Sequence, residues 1–450
     1  MAKINSISGF PEFLPNDQII FNKTLELIKN YFEKSGFMPL DTPAVERITT
    51  LTAKGIESHE IYGIYRLAGN EGDNKKDLAL RFDLTVPLAR YVAQHYDKLI
   101  FPYRRYHIAP VWRGERAQAG RYRQFYQCDI DVIGDGELSI IHDAELPVII
   151  FQIFKALNIG KFTIRINNRN ILRGLLFSLN LESGEIIKEV LRIIDKIEKI
   201  STNNFKSELI KLGLSEKKIE FLLEFINKKL SNSEWINYLK TPKVNEEFSK
   251  GVDELEQVIG YMRILGIEEE YFAIDPTIAR GLDYYTGTIY ETRLEEYPEL
   301  GSICSGGRYA NLAENFTNKE LPGVGLSIGI SRLIPKLIEV GILENKVSTV
   351  APVIITTQNQ NRIKGYLEIA SLLRTADIYT EIYLQPKNLA AQMKYAGKKG
   401  FLLAVIADEL ELDENRVVIR NLLTGIQVST SKSNLVENIK NMLKEMQVKN

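Results

Sequence analysis

Phe21, Leu25, Ile28 and Phe32 recur at helical spacing, which predicts one apolar face of an amphipathic helix, and Gly36 is placed to end it. Short strand-like pieces broken by Pro39 and Pro43 follow. Leu78 to Asp83 reads as a strand running into a helix whose first turn holds Pro87, where a missing N–H does no harm. Between Tyr103 and Gly134 two strand-like runs flank a polar connection, Glu115 to Arg121. In the second run Phe125, Gln127, Asp129 and Asp131 alternate with Tyr126, Cys128, Ile130 and Val132. The two-residue period of a strand puts the first set on one face. An amide and a pair of carboxylates beside an aromatic ring are expensive to bury as core, and they suit a lined cleft. Arg113 and Glu115 share a face in the first run in the same way.

From about Ile171 to Gly251 the chain is rich in Lys, Glu, Ile and Leu and poor in turn residues, which reads as a helical insertion. Strand-like text resumes at Tyr271 and continues through Gly287, Ile303 and Gly329, then breaks between Lys346 and Pro352. The tail alternates: strands at Val353 to Thr356, Tyr379 to Leu384, Phe401 to Ala407 and Arg416 to Arg420, helices at Ile363 to Thr375 and Leu389 to Lys398. That is a compact α/β module of about 100 residues. A chain of 450 residues has room for roughly three domains and a core that needs no staples.

The 57 Lys and Arg almost cancel the 58 Asp and Glu, so a nucleic-acid or membrane site has to be a local patch. Cys128 and Cys304 are too few for a disulfide framework or a four-cysteine zinc site, and His59, His95, His107 and His142 have no close metal-ligand spacing. Met1 to Asp17 lacks the apolar stretch of a signal peptide, and no apolar run approaches the roughly 20 residues that span a bilayer, so a cytoplasmic protein is expected.

Four stretches could carry chemistry. Arg104 to Arg123 holds six arginines (104, 105, 113, 116, 121 and 123), one Glu and no Asp or Lys. Guanidinium groups recognise phosphate and carboxylate bidentately. The alternative is a solvated basic strand pair, and the polar face at Gln127 and Asp131 tips the reading toward a site for both an anion and a cation. Arg280 to Gly287 carries Tyr284 and Tyr285, which on a strand would point to opposite faces. Gly306-Gly307-Arg308-Tyr309 reads as a hairpin turn or as a close approach of backbone to ligand. Gly323-Val324-Gly325-Leu326-Ser327-Ile328-Gly329 nearly imitates a dinucleotide fingerprint, but its last gap is one residue too long. Glycines leading into Arg332 would leave room for a flat ring beside an arginine. No phosphate loop of the G-x-x-x-x-G-K-[ST] type occurs.

Together these residues resemble the histidyl-tRNA synthetase family of class II aminoacyl-tRNA synthetases, from about Gly9 to Lys440. Thr42 to Glu46 is similar to class II motif 1, Phe101 to Asp131 to motif 2, and Gly325 to Leu333 to motif 3. Arg280 to Gly287 and Gly306 to Tyr309 resemble the two histidine-specific signatures. The resemblance implies an α+β catalytic domain, an antiparallel sheet flanked by helices, over residues 1–170 and 252–345. It also implies a helical insertion over 171–251 and a C-terminal α/β anticodon-binding domain over 349–450. The implied partners are L-histidine, ATP with its Mg2+, tRNA(His) and a second copy of the chain, with no membrane. Arg113 and Arg280 would hold the α-phosphate and the attacking carboxylate, and Arg121 and Arg332 the outer phosphates. Phe125 would stack on adenine and Glu115 hydrogen-bond it. Asp83, Thr85 and Gln127 would receive the α-ammonium group; Asp131, Tyr285 and Tyr309 would ring the imidazole, with Tyr284 alongside.

The chain departs from the family pattern in places. Asp83 and Asp131 stand where many relatives have Glu, Ala310-Asn311 where Asp-Gly is common, and Ser331 where an acidic residue is frequent. Ala407-Asp408-Glu409 replaces a Gly-containing turn in the tail. The rival readings are the regulatory subunit of ATP phosphoribosyltransferase, a sensor of uncharged tRNA, and another class II synthetase. Both histidine signatures, the tail and the full arginine set weigh against them.

Overall fold

The computed structural model describes residues 5–53, 60–66, 77–115, 122–181, 183–279, 281, 285–311, 313–344 and 348–447. The chain divides into two compact units, one built from residues up to Glu12 with Thr24–Ile342, the other from Phe13–Lys23 with Leu343–Asn450. Helix α1 (Pro15–Lys34) therefore has residues in both. Ile28 and Phe32 on its predicted apolar face are fully buried, and Gly36 follows its end with φ of +78°.

The first unit is organised by an eight-stranded sheet in the order β1-β5-β6-β11-β10-β9-β7-β8. Its strands are β1 (Met38–Pro39), β5 (Tyr103–Trp112), β6 (Gln124–Ile133), β7 (Phe162–Asn168), β8 (Phe272–Ile274), β9 (Thr288–Leu294), β10 (Ser302–Tyr309) and β11 (Gly323–Ile328). All pairings are antiparallel except the two at the edges, β1 with β5 and β7 with β8. A small second sheet pairs β2 (Val45–Arg47), β4 (Leu78–Leu80) and β3 (Gly63–Ile64) in the order β2-β4-β3.

Helices α2 (Ile48–Leu51), α3 (Thr85–His95), α4 (Ile141–Leu157) and α11 (Ile330–Glu339) belong to this unit. So do α5 (Arg169–Ser178), α6 (Gly184–Asp195), α7 (Thr202–Lys211), α8 (Glu216–Ile226), α9 (Asn232–Lys240) and α10 (Glu246–Ile264). Helices α5 and α10 cross closely: a Cβ on Gly174 would lie 2.6 Å from the Phe248 amide nitrogen, and one on Gly251 2.8 Å from that of Ile171. Asn245 caps α10, its Oδ1 accepting the Phe248 N–H, while its Nδ2 donates to the Gly174 carbonyl.

The second unit carries a five-stranded sheet in the order β13-β12-β14-β15-β16. Its strands are β12 (Val353–Ile355), β13 (Thr380–Ile382), β14 (Leu403–Ile406), β15 (Arg416–Asn421) and β16 (Gln427–Ser431). Its helices are α12 (Ile363–Thr375), α13 (Leu389–Lys399), α14 (Glu409–Asp413) and α15 (Leu435–Gln447). The sequence pattern misses β16, α14 and α15. Strand β16 is mostly exposed and polar, and so has no apolar alternation to see.

Two other expectations are corrected. The strand read at Leu78 to Asp83 stops at Leu80, because Asp83 turns to accept the Val86 N–H at the start of α3. The strand read from Tyr271 to Gly287 is only β8, after which the chain leaves the sheet. Tyr285 lies in a turn, its N–H donating to the carbonyl of Gly281, which has φ of +64°. The expectation that Tyr285 lies on a strand therefore does not hold, and Tyr284 lies outside the described residues. Among the described residues no helix is long and apolar enough to cross a membrane.

Candidate active site

The register of four central strands lays down a polar floor. Arg105 faces Asp131 and His107 faces Asp129 across β5 and β6. On the other side Asp129 faces Ser327 and Asp131 faces Gly325 on β11, and these face Ser305 and Gly307 on β10. Since side chains alternate, Arg105, His107, Gln127, Asp129, Asp131, Ser327, Ser305 and Tyr309 share one face.

Glycines on β11 set the depth of this floor. A Cβ on Gly325 would lie 2.1 Å from Asp131 Oδ1, and one on Gly323 2.2 Å from the Tyr309 ring. With no side chains there, the Tyr309 hydroxyl reaches over β11 and donates to Asp131 Oδ1 at 3.1 Å. The room at Gly323 and Gly325 is thus taken by the chain's own tyrosine and carboxylate, whereas Gly329 and Arg332 border open space. Tyr285 packs as tightly, since a Cβ on Gly281 would sit 2.1 Å from its ring.

Two neighbouring cavities open on this face. The larger, of about 910 Å3, is lined by Arg113, Glu115, Phe125, Gln127 and Arg332 among the expected site residues. The smaller, of about 30 Å3, is lined by Thr85, Asp129, Asp131, Tyr285, Ser305 and Tyr309, and Ser327 borders both. Arg113 lies 5.1 Å from the Phe125 ring centre, and its Nε donates to the Phe82 carbonyl at 3.0 Å. Arg332 donates from Nη1 to the carbonyls of Leu300 and Ser302. Gln127 Nε2 donates to the Ser327 hydroxyl at 2.9 Å, while its buried Oε1 has no hydrogen-bond partner. A buried acceptor without a donor is costly, and it is what a ligand ammonium would satisfy.

Burial is the largest influence on the three aspartates around the small cavity. It raises Asp83 despite hydrogen bonds from the Val86 and Thr85 amides, and raises Asp131 despite Arg105 and the Tyr309 hydroxyl. It pushes Asp129 up to about 7, with Asp131 and Asp83 adding to the effect and Arg105 and Ser327 opposing it. Burial also holds the His107 imidazole neutral, well below its ordinary value, while Nε2 meets Asp41 Oδ1 at 3.0 Å.

The six-arginine cluster divides. Arg104 pairs with Glu145 at 2.6 Å and Arg123 donates to the Glu115 carbonyl, so these two serve the fold around the cavity, while Arg105 is fully buried against Asp131. Of the described members of the cluster only Arg113 lines the cavity; Arg116 and Arg121 lie outside the described residues. Arg280 and Tyr284 also lie outside them. Asp83 sits beside the smaller cavity, at the start of α3, without lining it. Arg308 faces away from the site and holds α4 through Asp143, with Nη2 to Oδ1 at 2.7 Å.

Sequence reasoning gave no role to Asp129, Ser305, Ser327 or Arg105. The alternation in β6 did place Asp129 between two chosen residues. The other three needed the register. The larger cavity is also bordered by Glu198 and Lys199, from the turn between α6 and α7, which no local pattern marks.

A family model described as histidyl-tRNA synthetase matches residues 9–333, and one described as an anticodon binding domain matches 350–442. The chain belongs to the histidyl-tRNA synthetase family. It is 48% identical to the histidine–tRNA ligase of Clostridium tetani over 443 residues, 98% of this chain and 99% of that one. The crystal structure of the histidyl-tRNA synthetase from Nostoc sp. PCC 7120 superposes with a TM-score of 0.88 at 41% identity, covering 98% of this chain and all of that one. An ATP phosphoribosyltransferase regulatory subunit/histidyl-tRNA synthetase from Bacillus halodurans C shares the fold, with a TM-score of 0.72 at 19% identity. The fold alone therefore does not separate synthetase from regulator; the family models and the full-length identity do. The class II catalytic fold and the separate anticodon-binding fold expected from the sequence are both present in this family member.

Proposed function

We propose that the chain is a histidine–tRNA ligase that activates L-histidine with ATP and then transfers it to the 3′ end of tRNA(His). The observation that carries the reading is the pair of cavities meeting at Ser327: an arginine- and aromatic-lined one beside a small one floored by carboxylates and tyrosines. The first suits a nucleotide and the second an amino acid with two nitrogen-bearing ends.

In this reading the histidine carboxylate attacks the α-phosphorus of ATP. A new O–P bond forms and pyrophosphate leaves. Charge grows on the phosphate oxygens, and preorganised cations lower that barrier most. Arg113 and Arg280 meet the α-phosphate and the carboxylate, and Arg121 and Arg332 the outer phosphates. Phe125, already in contact with Arg113, stacks on adenine, and Glu115 accepts from it. Asp83, Thr85 and Gln127 take the α-ammonium. Asp131, Tyr285, Tyr309 and Tyr284 surround the imidazole, where an acceptor at one ring nitrogen and a phenol at the other fix the tautomer. The terminal adenosine hydroxyl of tRNA then attacks the acyl carbon, and AMP leaves.

Among the described residues no cluster of three or more metal-ligating side chains occurs. Mg2+ would arrive on ATP, since this ion needs one or two carboxylates besides phosphate oxygens, and Glu299 borders the cavity. When bound it supplies charge neutralisation on the phosphates.

We assign residues 1–170 and 252–345 to catalysis, 171–251 to an insertion over the acceptor arm, and 349–450 to the anticodon. We also infer a cytoplasmic homodimer joined around Pro43, a segment flanked by the edge strand β1, where Met38 is 62% exposed. Histidine-dependent exchange of pyrophosphate into ATP tests the function. Exchange that needs no histidine, or none at all, would refute it. Light scattering tests the dimer, and an active species of 51.3 kDa would refute that part.

A further inference from the structure

We propose that Arg105 is a positioning residue for the substrate imidazole: from the neighbouring strand on the same face its guanidinium holds Asp131 as an ionised acceptor aimed into the small cavity. The inference rests on the reading of that cavity as the histidine site.

Arg105 touches neither cavity. It is fully buried on β5, directly opposite Asp131, with Nη2 2.6 Å from Asp131 Oδ2. That contact is an ion pair without hydrogen-bond geometry: none of the three guanidinium nitrogens has a hydrogen-bond partner. A buried cation left in this state is a poor structural strut, because an apolar side chain of similar volume would be as stable or more so. Its effect is electrostatic. Asp131 Oδ1 is held by the Tyr309 hydroxyl and Oδ2 by Arg105, so both oxygens have fixed surroundings.

The neighbours make Arg105 hard to replace. From β6 Asp129 adds a second carboxyl, and Asp83 adds a third from the loop before α3. Tyr285 and Tyr309 are buried phenols that stay neutral. His107, the next site-facing residue on β5, stays neutral too, with Arg81 and Asp41 around it. Arg105 opposes the upward pull of burial on all three carboxyls, whereas Arg113 does so on Asp83 alone. Without that charge Asp131 takes up a proton. A protonated acid can no longer accept the imidazole N–H as a carboxylate.

The test is pyrophosphate exchange by the full-length wild type, Arg105→Gln and Arg105→Lys from about pH 6 to about pH 9. The glutamine variant is expected to raise the histidine KM about tenfold or more near neutrality, the scale of a lost hydrogen bond to a charged group. The ATP KM should hold, and the penalty should narrow as pH rises, because Asp131 then ionises unaided. Lysine restores the charge and should keep the histidine KM within about threefold of wild type. In an Asp131→Asn background Arg105→Gln should raise the histidine KM no further. A folded Arg105→Gln with wild-type histidine KM at every pH would overturn the proposal. So would an equal, pH-independent loss toward ATP and histidine, which marks a merely structural role. If the glutamine variant does not fold, the lysine variant decides: a wild-type pH profile supports the proposal and a tenfold rise in histidine KM overturns it. Absence of histidine-dependent exchange in the wild type refutes the functional reading itself and this inference with it; normal exchange with unmoved variants refutes the inference alone.

Discussion

The two large sheets differ in what they bury. In the five-stranded sheet both faces are apolar: Val353, Ile355, Leu403, Val405, Val417 and Ile419 pack on one side, Ile354, Ala404 and Ile406 on the other. In the middle of the eight-stranded sheet one face is equally apolar, with Cys128, Ile130, Val132, Val324 and Ile328 buried. The opposite face buries Arg105, His107, Gln127, Asp129 and Asp131. Burying charge and amide groups without full pairing opposes folding. The eight-stranded sheet tolerates it on the face that borders the cavities. A sheet with two dry faces is a scaffold; one with a buried polar face marks a site.

The sharpest break of this comparison is on the polar side. Arg113→Ala should lower the exchange rate about a hundredfold or more, the loss expected when a cation facing transition-state charge is removed. Arg280→Ala should do the same. Circular dichroism should show Arg113→Ala folded, since the side chain borders an open cavity. A rate near wild type would sink the role.

On the apolar side, Val405→Asp places an unpaired charge in a fully buried position, which costs about 4 kcal/mol or more. The expected outcome is loss of tRNA charging with exchange close to wild type, measured in one preparation. Equal loss of both would mean that the second unit supports the catalytic fold.

Asp129→Asn sharpens the comparison through pH. The folded-state value of about 7 lies above the unfolded carboxyl value of roughly 4. Between those values the folded chain keeps a proton that the unfolded chain has released. The stability from this group is therefore full below about pH 4 and is lost as pH rises through about 7. The asparagine variant should melt above wild type at about pH 8, with the gap shrinking toward pH 5. Identical melting at both pH values would show that Asp129 carries no such burden.

The smallest effect belongs to exposed pairs. Arg362 and Asp413 form an ion pair at the surface of the second unit, Asp413 exposed and Arg362 partly so. Arg362→Ala should leave the melting temperature unchanged by calorimetry, because solvent screens such pairs.

Much of the fold was legible locally. Helix α12 coincides with its predicted bounds, and β12, β13, β14, α13 and β15 fall where alternation placed them. The strand pair Tyr103–Trp112 and Gln124–Ile133 and the polar face of its second strand were also readable from a period of two, although β5 ends before Arg113 and Glu115, which the alternation places on its face. The roles of Arg280, Tyr284 and Arg121 came from family resemblance, and those residues lie outside the described part of the chain.

The sequence by itself determined which residues alternate, where the helices cap and break, and which family the motifs belong to. These are properties of neighbours along the chain, where backbone periodicity acts. Register and depth came only with the tertiary structure. Nothing local says that Arg105 lies opposite Asp131, that Ser327 and Ser305 continue the row from Asp129, or that Gly323 and Gly325 let Tyr309 reach Asp131 over β11. Those pairings join strands far apart in sequence. Burial among them, which no window of sequence contains, is what raises the Asp129 carboxyl and leaves the Arg105 guanidinium without hydrogen bonds.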